Sequence, residues 1–522
     1  MSAQRADGLP APGAGGTAAG ARTSAEAFLG ELGGPRPAYV EAGLLVEEAD
    51  ALGRAEHHEL RRRVFVAEQG LFDGTDRDDL DDHPACVVLV ARSVHGDVVG
   101  GVRLAPVAGE LGWWAGSRLV VAPGAPLRAG AALVRAACAR AEAEGALRFD
   151  AVVQADKERF FTGLGWRPRG RAGARARIDH LGRPHVRMSW PIGACAAPAL
   201  AKRVIGDVLG GLRPGGDGFV GDDAAPVPGS DLVAATDAIV PSMVERDPWW
   251  AGWCSVLVNA NDLAAMGATP VGLLDSLAAP TPSLARRVMA GLTEAAERYG
   301  VPVLGGHTQV GVPAALSVTM LGRVAAGRVP GGGGLGAGPG GRGAAERPDG
   351  GPVPGGGGRV GDTVHVVADL SGGWRPGYGG RQWDSTTGRS ATELRHMGAT
   401  LQRVRPHAAK DVSMAGLVGT LAMLAEAGGC GAELDVAAVP RPSGARMADW
   451  LTCFPGFALV TAGGPAPTAD DVAPATVAAC GRLVADPAVT LVWPDGERTE
   501  VLRGPVVGLG PATTPSPNEP GA

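Results

Sequence analysis

The chain has 522 residues, a formal net charge of −6 and a sequence pI near 6.0. That balance lacks the basic footprint of duplex-binding proteins, so no nucleic-acid partner is expected. At roughly 100–200 residues per domain the length calls for two to four domains. Hydrophobic residues are 45% of the chain, enough to bury cores, while 83 glycines and 42 prolines point to linkers between them.

Seven cysteines are scattered without a CxxC pair. This speaks against a disulfide framework or a zinc ribbon, and for a reducing, cytoplasmic location. No apolar run approaches the ~18 residues of a membrane span, and the N-terminal arginines precede no apolar signal core. Only three lysines occur (Lys157, Lys202, Lys410) against 45 arginines, so each lysine is a candidate for a specific role.

In chain order, residues 1–38 are Ala/Gly/Pro/Ser-rich and aperiodic, the composition of a disordered leader. Patterned sequence follows over 39–192. Ala85–Ala91 and Val98–Leu104 read as strands joined by a turn at His95-Gly96-Asp97, and Arg118–Val121 as a third strand. Ala129–Glu144 reads as a helix, with Leu133, Val134, Ala137 and Ala141 on one buried face. Phe149–Gln154 reads as a strand and Asp156–Leu164 as a short helix. A second patterned block runs over 197–326 and 359–510. Between its parts, 16 of residues 327–358 are glycine and five are proline, a flexible insertion by composition. Residues 511–522 read as a disordered tail. The fold class expected is α/β (α+β): a mixed-sheet domain followed by a two-part α/β domain.

At the junction running from Arg118 to Leu133 a strand ends, a Gly/Ala-rich loop follows and a helix begins. Free N–H groups and the helix dipole there can seat a pyrophosphate, with Val120, Val121, Arg128, Gly130, Ala131 and Ala132 around it, the alternative being an ordinary packed strand-to-helix turn. Downstream, Val153-Gln-Ala-Asp-Lys-Glu-Arg-Phe-Phe-Thr-Gly-Leu-Gly-Trp-Arg167 resembles the closing segment of the GNAT superfamily of N-acetyltransferases. Val98-Val-Gly-Gly-Val-Arg-Leu104 resembles its central strand, and Arg63-Val-Phe-Val-Ala-Glu-Gln-Gly-Leu-Phe72 its first helices. The resemblance covers about 150 residues and implies acetyl-CoA as acyl donor and a small-molecule amine as acceptor. It has two departures. The signature's basic residue is displaced by one, to Arg128, and its proton-donating tyrosine is replaced by Phe160 or Phe161. Glu68 and Glu110 are then the candidate catalytic carboxylates, with solvated surface acids as the alternative. The aspartates at 73, 76, 78, 79, 81 and 82 either attract a cationic acceptor or form a solvated loop.

In the second block, acidic motifs recur at element ends: Gly221-Asp-Asp-Ala-Ala225, Thr236-Asp-Ala-Ile-Val240, Asn259-Ala-Asn-Asp-Leu-Ala-Ala-Met-Gly-Ala268, Gly305-Gly-His-Thr308 and Lys410-Asp-Val-Ser-Met-Ala-Gly416. Asp222, Asp223, Asp237, Asp262 and Asp411 offer the hard oxygens that magnesium takes. The Asn261-Asp262 pair reads as the opening of a helix, and Lys410 either as a point charge for a phosphate or as a surface residue. Trp249, Trp250 and Trp253 read as core or dimer-interface packing.

This order of motifs resembles the AIR synthase-related (PurM-like) superfamily, which takes in aminoimidazole ribonucleotide synthetase, thiamine-monophosphate kinase, selenophosphate synthetase and the hydrogenase-maturation protein HypE. The resemblance implies ATP and Mg2+ as cofactors, a second small-molecule substrate, and a homodimer through the 197–326 part. Two departures stand out: His307 and Met414 replace acids of the kinase-like members. The whole chain reads as a bifunctional enzyme, an acetyl-CoA-dependent N-acyltransferase fused to an ATP/Mg-dependent domain that phosphorylates or activates a small molecule. The competing reading is a regulatory protein that binds acyl-CoA and nucleotide without turnover.

Overall fold

The computed structural model describes residues 39–41, 43–169, 176–324 and 351–512. The expected leader, most of the Gly-rich insertion and the end of the tail lie outside them. The chain divides into two compact units, the first built from most of residues 39–191 and the second essentially from Ile192 onward.

The first unit is organised on one nine-stranded sheet. Its strands are β1 (Tyr39–Glu41), β2 (Leu44–Glu48), β3 (Val87–Ser93), β4 (Val98–Ala108), β5 (Trp113–Val121), β6 (Arg148–Gln154), β7 (Arg167–Pro168), β8 (Arg177–His180) and β9 (Arg183–Trp190). They run in the order β1-β2-β3-β4-β5-β6-β9-β7, and β8 pairs with β9. The expected strands and the Ala129–Ala143 helix are all present. The helix Ala51–Arg61 has no counterpart among the expected elements. It begins at Asp50, whose side chain accepts from the Gly53 amide, and passes into a π-helical turn over Arg62–Glu68.

The acidic run 73–82 is split: Asp73, Asp79 and Asp82 are exposed, as in a solvated loop, while Asp76, Asp78 and Asp81 are engaged by arginines. Asp76 and Asp81 are buried, and both bind the buried Arg61 guanidinium at 2.7 and 2.6 Å. Asp78 pairs with Arg103 and with Arg118. The buried guanidinium groups of Arg61 and Arg103 need fixed carboxylates, and these three acids supply them. His57 lies in the same interior, its ring packed so tightly on Gly101 that a Cβ there would come 2.5 Å from it.

The second unit holds two sheets. One has five strands in the order β10 (Ala225–Pro226), β11 (Leu232–Ile239), β14 (Ala315–Arg323), β12 (Thr269–Ala279) and β13 (Val303–Val310). The helices Pro248–Ala265 and Pro282–Tyr299 cover its inner face. The other has seven strands in the order β18 (Ala408–Asp411), β20 (Ala458–Ala462), β15 (Thr363–Ala368), β21 (Thr476–Val484), β19 (Gly431–Asp435), β22 (Ala488–Val492) and β23 (Arg498–Arg503). A short ribbon, β16 (Gly373–Trp374) with β17 (Trp383–Asp384), stands apart from both. One apolar core runs through both halves, joining Trp250, Trp253, Leu263 and Val318 to Leu401, Phe454 and Leu459. Trp250 and Trp253 are core residues, and their indole N–H groups donate to Gln382 and Thr386.

Two expectations fail here. Asn261-Asp262 does not open a helix: it lies in the last turns of the 18-residue helix that begins at Pro248. The apolar Trp249–Leu257 stretch belongs to the same helix, and proline at its first position marks the true start. The end of the Gly-rich insertion is also ordered. Residues 351–355 are buried, and the Val353 amide donates to the Met266 carbonyl while the Pro354 carbonyl accepts from the Ala409 amide. Among the described residues no helix is long and apolar enough to cross a membrane.

Candidate metal centre

Three separate elements bring carboxylates together in the second unit. Asp223 closes the turn after Gly221, Asp262 projects from the end of the Pro248–Ala265 helix, and Asp411 ends β18. One oxygen from each lies within 4.8 Å of the others. Asp262 and Asp411 are 7% and 5% exposed, so water cannot screen their repulsion. Burial and the neighbouring carboxylates push both well above the usual carboxyl range. The Asp411 Oδ2 atom has no hydrogen-bond partner. A hard divalent cation satisfies such a set, with oxygen donors and uncompensated negative charge converging on one point.

The other two predicted acids stand beside this trio. The Asp237 carboxyl on β11 adds to the field on Asp262 and Asp411, and burial holds it up at about 6. The Lys202 ammonium counters part of that rise. Asp222 is turned aside: its Oδ2 accepts from the Gly355 amide at 2.8 Å, and burial raises its carboxyl to about 6.

Lys410 corrects the sequence expectation. It is not presented to a ligand. It is buried, with Nζ at 3.0 Å from Asp223 Oδ1, 3.0 Å from the Gly221 carbonyl and 3.7 Å from Asp222 Oδ1. Although burial works against its charge, the surrounding aspartates hold its pKa above the ordinary lysine value. His307 is exposed on β13 next to Gln309, and Met414 is 56% exposed.

Sequence reasoning missed Gly355, gave Asn261 only a place in a helix opening, and gave Lys202 no specific role. The Asn261 amide donates to the Gly456 carbonyl at 2.7 Å, tying the helix that carries Asp262 to the second half. The rarity of lysine was the one signal that pointed toward Lys202; nothing in a glycine-rich run singles out Gly355.

In the first unit, Val120 is buried and Val121 partly so on β5, and Arg128 is exposed at the cap of the Ala129–Ala143 helix. No side chain caps that helix start. Gly130 and Ala131 are half-buried, Ala132 is buried, and the Gly130 position faces Phe160 and Val121 at ordinary contact distance. Arg118 on β5 takes φ +54°, unusual for a residue with a side chain, and its carbonyl lies 3.3 Å from His57 Nε2. Glu68 ends the π-helical turn, whereas Glu110 sits in the short turn Gly109–Leu111, which belongs to the second unit; both are exposed.

Two family models match residues of the second unit. The family model "AIR synthase related protein, N-terminal domain" matches residues 221–324, and "AIR synthase related protein, C-terminal domain" matches 389–493. Uncharacterized protein sll0787 of Synechocystis sp. is 33% identical over 249 residues, which is 46% of this chain and 69% of that protein. The chain belongs to the AIR synthase related family. A second family relative, uncharacterized protein MJ0640 of Methanocaldococcus jannaschii, is 30% identical over 265 residues, 49% of this chain and 74% of its own. The thiamine-monophosphate kinase of Synechococcus elongatus matches at 38% identity over 119 residues, 21% of this chain and 36% of the kinase. Among solved structures, thiamine monophosphate kinase from Aquifex aeolicus superposes with a TM-score of 0.37 at 20% identity, covering 53% of this chain and 92% of that one.

Proposed function

We propose that the AIR synthase related part, residues 197–326 and 359–510, is an ATP- and Mg2+-dependent enzyme that phosphorylates or activates a small molecule. The observation that carries this is the convergence of Asp223, Asp262 and Asp411 from three elements on one point, two of them buried and one with an unpartnered oxygen. Relatives matched over 21% and 22% of the chain are named thiamine-monophosphate kinase and selenide, water dikinase, names that denote phosphoryl transfer. Magnesium held by these carboxylates supplies charge stabilisation to a transferring phosphoryl group. The chain's own residues supply the rest. Asn261 fixes the end of the Asp262 helix, the Asp411 amide donates to Asp223 Oδ2 at 2.9 Å and sets its orientation, and the shared core beneath keeps the carboxylates from relaxing into water.

The same proposal makes residues 39–192 a GNAT-type N-acyltransferase using acetyl-CoA and an amine acceptor. Its support is the strand-to-helix junction at β5, where small residues and an uncapped helix start leave backbone N–H groups for a pyrophosphate. Glu68 and Glu110 remain the carboxylates proposed to handle protons. A homodimer through the five-stranded sheet completes the reading. Its edge strand β13 is exposed along nearly its whole length, and Val303, Leu304 and Val310 stand in solvent beside Leu274.

The test is direct. ATP titrated into the full chain should bind in Mg2+ and lose affinity at least tenfold in chelator. Equal affinity in the two conditions removes the metal-dependent reading.

A further inference from the structure

We propose that Lys410 is a built-in cation of the metal centre, so that this centre takes one divalent ion where its carboxylates alone would accommodate two. The inference rests on the ATP/Mg2+ reading and concerns how the chain divides its carboxylates between a fixed ammonium and a bound ion.

Four aspartates, 222, 223, 262 and 411, gather around one buried lysine. The Lys410 ammonium touches Asp223 Oδ1 and the Gly221 carbonyl at 3.0 Å each and faces Asp222 Oδ1 at 3.7 Å. This is a ring of oxygens around a positive point, with the side chain about 3% exposed. The remaining oxygens of the two Asp-Asp residues are also engaged: Asp222 Oδ2 by the Gly355 amide at 2.8 Å, and Asp223 Oδ2 by the Asp411 amide at 2.9 Å. Two buried oxygens here lack a hydrogen-bond partner: Asp222 Oδ1, which faces the ammonium at 3.7 Å, and Asp411 Oδ2, which groups with Asp262 and Asp223. The carboxylates are thus split into a half occupied by an ammonium and a half open to a metal, and Asp223 lies between them.

The strap at residues 353–355 enforces the split. It is bound to the end of the Asp262 helix through the Val353 amide, to β18 through the Pro354 carbonyl, and to Asp222 through the Gly355 amide. A side chain at 355 would displace this pair: a Cβ would come 2.3 Å from Asp222 Oδ1 and 2.8 Å from Lys410 Cε. The strap therefore closes over the lysine and its partner and leaves the Asp262–Asp411 side uncovered by itself. An ammonium gives charge without open coordination positions, so it neutralises the Asp-Asp turn and ligates nothing further.

The test counts manganese ions bound to the full chain without nucleotide, from the electron paramagnetic resonance signal of free Mn2+. The wild type should take up one ion per chain. Lys410→Met keeps length and removes charge, freeing Asp222 and Asp223, and should take up two; Lys410→Arg should stay at one. Two or more ions in the wild type, none in the wild type, or one in Lys410→Met each overturn the inference. Should Lys410→Met fail to fold by circular dichroism, Lys410→Gln serves in its place; it too should take up two ions, and one ion overturns the inference equally. ATP affinity in Mg2+ measured on the same wild-type preparation separates the two claims. Two manganese ions with metal-dependent ATP binding leave the enzyme reading standing and remove only the role of Lys410.

Discussion

Asp262 is the residue whose structure most changes what substitution should do. As the first residue of a helix it would be a cap, and asparagine would be nearly neutral. In the last turn it is a buried carboxylate facing Asp411, near the end of a helix where the dipole is negative. Asp262→Asn should therefore weaken ATP binding in Mg2+ by at least tenfold, about 1.4 kcal/mol, while raising the melting temperature in chelator. The sign of the pH dependence follows from burial. A carboxyl held above its ordinary value contributes stability that is present below about pH 4 and is lost as pH rises through the folded value. The chelated wild type carries that loss and the variant does not, so the gap in melting temperature between them should widen from pH 5 to pH 7.5. The gap is the proper measure because His57 carries an opposite slope: burial pushes its ring down to about 3, so it costs stability as pH falls below about 6.5. A gap that is constant or narrows with pH would contradict a buried carboxylate at 262.

At the scale of elements, what the sequence could reveal depended on whether the signal was local. Strands β3 and β4, the His95–Asp97 turn and the Ala129–Ala143 helix announce themselves by apolar runs, glycine and periodicity, and they form within two or three residues of where the sequence puts them, apart from an extension of β4. All five metal-candidate aspartates were legible by type, yet which three converge was not. Convergence depends on β18, the Gly221–Asp223 turn and a helix end meeting across nearly two hundred residues of chain. The helix start at Pro248 was hidden because a run of tryptophans looks the same before a helix as inside one. Packing of that helix gives the sharpest prediction at this scale. Gly252 faces the Val288 carbonyl, where a Cβ would come within 2.0 Å, and Gly291 faces the Trp249 carbonyl, at 1.9 Å. The helices Pro248–Ala265 and Pro282–Tyr299 thus meet backbone to backbone through two glycines. Gly291→Ala should push them apart and cost about 2–3 kcal/mol, the range of overpacked cores, despite alanine's better helix propensity. Chemical denaturation measures it, and an unchanged midpoint would mean the helices are not in this contact.

The molecule as a whole carries two proposed chemistries, and the proposed pyrophosphate seat, Val120 to Ala132, lies in the first compact unit while Asp223, Asp262 and Asp411 lie in the second. That division makes a double dissociation the strongest test of bifunctionality. Gly130→Glu places charge and bulk where a pyrophosphate would approach the helix start. The position tolerates a side chain, because a Cβ there meets only Phe160 and Val121 at 3.6 Å, so loss of binding cannot be put down to collapse of the fold. This variant should abolish acetyl-CoA binding by calorimetry and leave ATP affinity in Mg2+ unchanged. Asp262→Asn should do the reverse, losing ATP affinity while binding acetyl-CoA as the wild type does. A variant that disturbs both ligands would show the two activities to be coupled through the fold. Acetyl-CoA affinity unaffected by Gly130→Glu would remove the acyltransferase assignment and leave the β5 junction as packing alone.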